Sequence, residues 1–208
     1  MSKQTGWIHR HDPEYLACAT RPARITSQTM RVSVTKDSGQ ACSVGGPERL
    51  DLREEPAGIK HIDAARRYPA FRGLLLNLNS DESPFATFGC KVWIEDVEGN
   101  EPSVFASRID LVISEGAQRL SGGQYEEIAS RLAGLLERET GDAVWAELHI
   151  SPAQFAGGLK GFCLRLLLFA RGAKQDQAQL RWSLGVARVQ QALLFLARAI
   201  RQNRVSMD

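Results

Sequence analysis

Apolar and polar residues alternate with period two along several stretches of this chain. Leu74, Leu76 and Leu78 alternate first, and residues 79–84 supply a polar turn. Phe88, Cys90, Val92 and Ile94 alternate next. After Glu98-Gly99-Asn100, Ile109, Leu111 and Ile113 alternate with Arg108 and Asp110. Period two interrupted by short polar turns predicts strands with one buried face, here an antiparallel meander of three. An earlier strand is expected at 29–35, where Met30, Val32 and Val34 alternate with Arg31 and Ser33. A later one is expected at 143–150, where Val144, Ala146, Leu148 and Ile150 alternate with Trp145, Glu147 and His149. A short helix is expected around 61–68.

The period changes to that of a helix after residue 120. Ser121 and Gln124 have capping-box spacing, with Tyr125, Ile128, Ala129, Leu132 and Leu136 tracing one face behind them. The spacing predicts a helix over about 122–139 that ends before Gly141. The same stretch spells LSGGQ, the signature by which ABC-type ATPases are recognised. That chemistry also needs a glycine-rich loop ending in Gly-Lys-Ser/Thr to hold phosphates. The glycine pairs at 45–46 and 157–158 are not followed by Gly-Lys. LSGGQ is therefore read as a helix start.

Beyond residue 150 two further helices are expected. Ser151 and Gln154 repeat the capping-box spacing with Pro152 at the first helical position, and Phe155, Leu159, Phe162, Leu166 and Phe169 recur at intervals of four and three. Gly157, Gly158 and Gly161 each cost a helix about 1 kcal/mol relative to alanine, so a Gly-flanked buried strand at 162–169 is the alternative. The last helix, capped by Asp176, runs to about Gln202. Trp182, Val186, Val189, Leu193, Leu196 and Ile200 form its large row; Ala178, Gly185, Ala192 and Ala199 form a small row at every seventh position. Small beside large residues permit close helix contact, which predicts an antiparallel helical hairpin.

The expected fold is thus α+β: an antiparallel sheet of four to five strands packed by one helix, followed by a C-terminal antiparallel helical pair. Residues 1–150 form the mostly β core, and 151–208 a basic hairpin packed on it within one compact unit. The expected oligomer seam is Ala178, Trp182, Gly185, Val189, Ala192, Leu196 and Ala199. On this reading the chain is a non-catalytic interaction or assembly protein whose partner is a second copy of itself, a homodimer, or another protein; the alternative is that the helical pair covers the sheet face of its own monomer.

Charge adds a second possibility. Residues 151–208 hold nine basic groups against Asp176 and Asp208, a balance of +7, whereas the first 150 hold 17 basic and 22 acidic groups, a balance of −5. Arg181, Arg188 and Arg198 lie broadly opposite the apolar seam and, together with Arg201 and Arg204, could lie along nucleic-acid phosphates. No helix-turn-helix, zinc-finger or RNA-recognition motif accompanies them.

Candidate chemistry is sparse. Glu147 and His149 share one side of their strand, with Trp145, and would form an acid/base pair if that side lined a cleft. His9, His11, Asp12 and Glu14 offer ligand types without a complete metal set and read as surface residues. Asp96, Glu98 and Glu101 read as a solvated hairpin tip, because Gly99 is misplaced for a calcium loop. Cys18, Cys42, Cys90 and Cys163 include no CxxC pair and read as free, buried thiols. No cofactor or metal is expected. No apolar run is long enough for a membrane span, and residues 1–15 lack a signal-peptide pattern; a cytoplasmic location is expected.

Overall fold

The computed structural model describes residues 31–36, 42–44, 51–95, 102–113, 121–137, 143–155, 158 and 160–205. They form an α+β fold around a mixed sheet of five positions. Strands β1 (Arg31–Lys36), β2 (Cys42–Val44), β3 (Phe85–Glu95), β4 (Ser103–Ile113), β5 (Val144–Phe155) and β6 (Lys160–Gly172) are arranged β1-β5-β6-β4-β3. The short β2 follows β1 along the same edge of β5.

Most of the sheet is antiparallel, as expected, with the β3/β4 hairpin and β6 between β4 and β5. The edge formed by β1 and β2 runs parallel to β5, so the sheet is mixed rather than antiparallel throughout. Edge pairing changes from β1 at Ile150 to β2 at Ala153. Pro152, which has no amide hydrogen to donate, sits in this interval.

Among the described residues, a 3-10 turn (Pro56–His61) and four helices complete the fold: α1 (Asp63–Arg67), α2 (Pro69–Leu78), α3 (Gly122–Leu136) and α4 (Gln175–Val205). The helices share one side of the sheet, where Phe105, Ile109, Leu111, Val144, Leu148, Leu164 and Leu168 join residues of all four helices in one core. The capping box of α3 forms as expected. The Gln124 amide donates to Ser121 Oγ, and the Ser121 amide donates to Gln124 Oε1 at 2.8 Å.

Two expectations are corrected. The alternating leucines at 74–78 lie in α2, where Phe71, Leu74, Leu75 and Leu78 are buried at helical spacing, Leu76 is exposed, and Pro69 starts the helix. The expected strand and helix thus shared the same leucines. Asn79 then fastens the helix to the sheet: its side-chain amide donates to the Leu75 carbonyl and Thr87 Oγ1, each at 2.7 Å, and its carbonyl accepts from the Thr87 amide at 2.9 Å.

The C-terminal helical pair is likewise not found among the described residues. Residues 151–155 continue β5, and 160–172 form the central strand β6, extended through Phe162 and Phe169. A strand covered on both faces is apolar at successive positions, so it mimics a helical stripe. In β6, Leu164, Leu166, Leu168 and Ala170 face the helices while Cys163, Leu167 and Phe169 belong to clusters on the other face. The expected division at residue 150 therefore falls inside β5, and among the described residues α4 is the one α-helix of the C-terminal segment.

Candidate interaction surfaces

The residues expected to form an oligomer seam line the inner side of α4, against their own sheet. Ala178, Trp182, Gly185, Val189, Ala192 and Leu196 are buried, and Ala199 is partly so. The small row serves helix-on-sheet contact: a β-carbon on Gly185 would lie 3.0 Å from Val144 Cγ1 and 3.3 Å from Leu168 Cδ2.

Trp182 anchors this side. Its ring lies 4.8 Å from Phe105, 5.3 Å from Tyr68 and 5.8 Å from Phe71, and its indole N–H donates to Ser107 Oγ at 2.9 Å. Large and small rows are thus consumed within one chain, and the sequence pattern that suggested a dimer instead explains the monomer core.

The outer side of α4 presents a second apolar row. Leu180, Leu184, Ala187 and Leu194 recur at intervals of four, three and seven residues, with Gln191 in the remaining stripe position. Leu180 is 63% exposed, Leu184 59%, and neighbouring Phe195 60%. Exposed large apolar residues scattered singly need no explanation, whereas several along one side of a helix form a candidate contact surface. Beside it, Leu135, Leu136, Arg188, Gln191, Ala192 and Phe195 line a shallow groove of about 250 Å³ between α3 and α4.

The arginine set does not form one continuous charged face. Arg181 Nη1 donates to the Arg171 carbonyl at 2.6 Å, and Arg188 lines the groove. Arg198 and Arg201 are exposed near the end of α4, and Arg204 lies in its last turn. Asp176, in the first turn, is exposed at the opposite end; because α4 begins at Gln175, Asp176 lies inside the helix rather than capping it.

The face of the sheet away from the helices is ordered in rows. Gly89, Asp110, Arg165, His149 and Thr35 stand side by side across β3, β4, β6, β5 and β1. Asp110, nearly inaccessible, accepts from Arg165 Nε at 2.8 Å and lies 3.4 Å from Arg108. Thr35 Oγ1 and His149 Nδ1 share a hydrogen bond of 2.8 Å, and His149 Nε2 lies 3.3 Å from Glu147 Oε2. The expected Glu147–His149 proximity is present. The pair lines neither the depression between α2 and α4 nor the groove between α3 and α4.

Two rows further along, Trp145 stacks on Phe169 with ring centres 5.0 Å apart, and Trp93 meets Phe169 edge-on. The Arg171 guanidinium lies 5.6 Å over the Trp145 ring. The Asp110 ion pairs and this aromatic row do not follow from local spacing, because they arise only where β4, β5 and β6 lie side by side.

Cys90 and Cys163 are not joined in a disulfide. Burial, reinforced by the Asp110 charge and partly opposed by Arg108, pushes the Cys90 pKa up from 9.0 to about 11. This holds the neutral thiol and suppresses its nucleophilicity. Tyr125 is pushed up from 10.0 to about 12, chiefly by burial and further by Cys163, against the lowering effect of its contact with the Ile113 amide.

His9, His11, Asp12, Glu14, Asp96, Glu98, Glu101, Cys18 and Gly141 lie outside the described residues. Among the described residues, no group of three or more His, Cys, Asp or Glu side chains is placed to hold a metal ion, and no helix is long and apolar enough to cross a membrane. Comparisons with protein-family models, curated proteins and solved structures find no match to this chain.

Proposed function

We propose that this chain is a non-catalytic cytoplasmic interaction protein that associates with a second copy of itself through the outward side of α4. The observation carrying this reading is the stripe of Leu180, Leu184, Leu194 and Phe195, exposed on a helix whose opposite side is already filled by its own sheet. A helix apolar on two sides is expected to be covered on both. The contact differs from the sequence-expected seam, whose residues are occupied inside the monomer.

The magnitude sets the concentration at which to look. From Asp176 to Arg198 the helix rises about 33 Å, and a helix-helix contact about 10 Å wide gives roughly 330 Å² per copy. Stable partners commonly bury about 800 Å² each, so weak association is expected. Sedimentation equilibrium from about 5 to 500 µM should show a concentration-dependent rise towards twice the monomer mass. A constant monomer mass across that range refutes the reading.

A second reading, nucleic-acid binding, rests on Arg198 and Arg201 being exposed near Arg204 at the end of α4. Splitting of the arginine set, with Arg181 bonded to the Arg171 carbonyl and Arg188 in the groove, makes it the weaker reading. Binding to labelled duplex or single strands at low salt, lost as salt rises, would support it; no shift removes it.

A further inference from the structure

Resting on that self-association, we infer that two copies pair their α4 helices antiparallel, about a two-fold axis close to Ala187. About this residue the outer leucines Leu180 and Leu194 are symmetric, whereas Leu184 has Gln190 as its mirror position. Leu180 and Leu194 each lie seven positions away, while Asp176 and Arg198 each lie eleven positions away in opposite directions. Antiparallel pairing sets Leu180 of each copy against Leu194 of the other, with Phe195 beside it. It also brings each Asp176 to the other copy's Arg198.

A two-fold interface uses the same patch on both copies, so a patch that complements itself under reversal is what such a contact requires. A parallel pair would keep the leucines together but place Asp176 beside Asp176 and Arg198 beside Arg198. It would also align the two helix dipoles, which the antiparallel arrangement opposes. Apolar contact therefore supplies attraction in either geometry, and the two charged ends choose between them.

All the residues in this scheme sit on the exposed side of α4, so the outer contact requires no rearrangement of the core. Each exposed ion pair contributes up to about fivefold, and two occur per dimer. Reversing one charge replaces both attractions by repulsions, with an expected weakening of about tenfold or more.

The test combines charge exchange with cross-linking in the full chain. Asp176→Arg and Arg198→Asp should each weaken association measured by sedimentation, and the double exchange should restore it to within about threefold of the parent. Under mild oxidation, Ala187→Cys should link to its own copy. Leu180→Cys should link efficiently only when mixed with Leu194→Cys, as read by peptide mapping. Circular dichroism of each variant reports whether the monomer fold is retained. Self-linking of Leu180→Cys as efficiently as Ala187→Cys overturns the antiparallel geometry while leaving self-association standing. So does association that the single charge reversals leave unchanged. A parent chain that stays monomeric at all concentrations removes the underlying reading itself.

Discussion

Removing the Ser107 hydroxyl tests whether α4 is anchored to its own sheet. Trp182 is fully buried, and its indole N–H donates to Ser107 Oγ at 2.9 Å inside a cage of Tyr68, Phe71 and Phe105. Ser107→Ala removes this acceptor from a site closed to bulk water. Leaving a buried donor unpaired costs about 1–3 kcal/mol, while burying a methyl-sized side chain in place of a hydroxyl returns only a fraction of that. A net loss near 2 kcal/mol is expected, which at a urea slope of about 2 kcal/mol/M moves the midpoint down by roughly 1 M. Trp182→Phe separates the hydrogen bond from packing: it loses stability through the smaller ring, but leaves no N–H to satisfy. Ser107→Ala added to Trp182→Phe should therefore cost much less than it does alone, giving a coupling of about 1–2 kcal/mol. Urea unfolding followed by far-UV circular dichroism measures all four proteins without relying on tryptophan emission. A coupling below about 0.3 kcal/mol would refute the anchoring role, whatever the single losses.

Leu184→Glu should abolish concentration-dependent association in sedimentation while moving monomer stability by no more than about 0.5 kcal/mol, because the side chain is 59% exposed. Two glycine substitutions should act in opposite directions. A β-carbon at Gly172 would lie 2.3 Å from the Ala178 backbone nitrogen, so Gly172→Ala should lower stability by about 2 kcal/mol or more; nothing lies within 4 Å at Gly134 in α3, and Gly134→Ala should raise it by about 0.5–1 kcal/mol. Thermal unfolding distinguishes the signs, and a gain at Gly172 or a loss at Gly134 would contradict the placement of that residue. Alkaline pH should destabilise the fold progressively: Cys90 and Tyr125 have folded pKa values above 9.0 and 10.0, so their contribution is present below about pH 9 and is lost as pH rises through about 11 and 12. Cys90→Ala should delay the onset towards pH 10 in urea midpoints collected against pH, and an unchanged onset would contradict the assigned cause.

Local signals determined several parts of this protein. Ser121 and Gln124 specify the start of α3 because a capping box is satisfied within four residues, and the interrupted alternation from Cys90 to Ile113 specifies the β3/β4 hairpin, whereas Phe88, at the irregularity between Thr87 and Gly89, packs on the other face. The 3.6-residue period between Trp182 and Ile200 identifies α4 in the same way. Where one periodic pattern admitted two structures, the decision was tertiary. Leucines 74, 76 and 78 fit a strand face, but Phe71 and Leu75 complete a helical face once α2 packs on β3 and α4. In β6, apolar residues on both faces remove the alternation that marks a half-buried strand, and pairing with β4 and β5 decides its extended form.

Contacts across long sequence separations were decided by assembly of the sheet. The Asp110–Arg165 pair joins residues 55 apart, and the Thr35–His149 bond residues 114 apart. Neither follows from local spacing, because strand order and the parallel placement of β1 are set by which edges remain available when the core closes. The same holds for α4: its sequence displayed two apolar rows, and the sheet took the one carrying Trp182, leaving Leu180, Leu184, Leu194 and Phe195 facing outward. Burial is a property of the assembled surfaces rather than of either row alone.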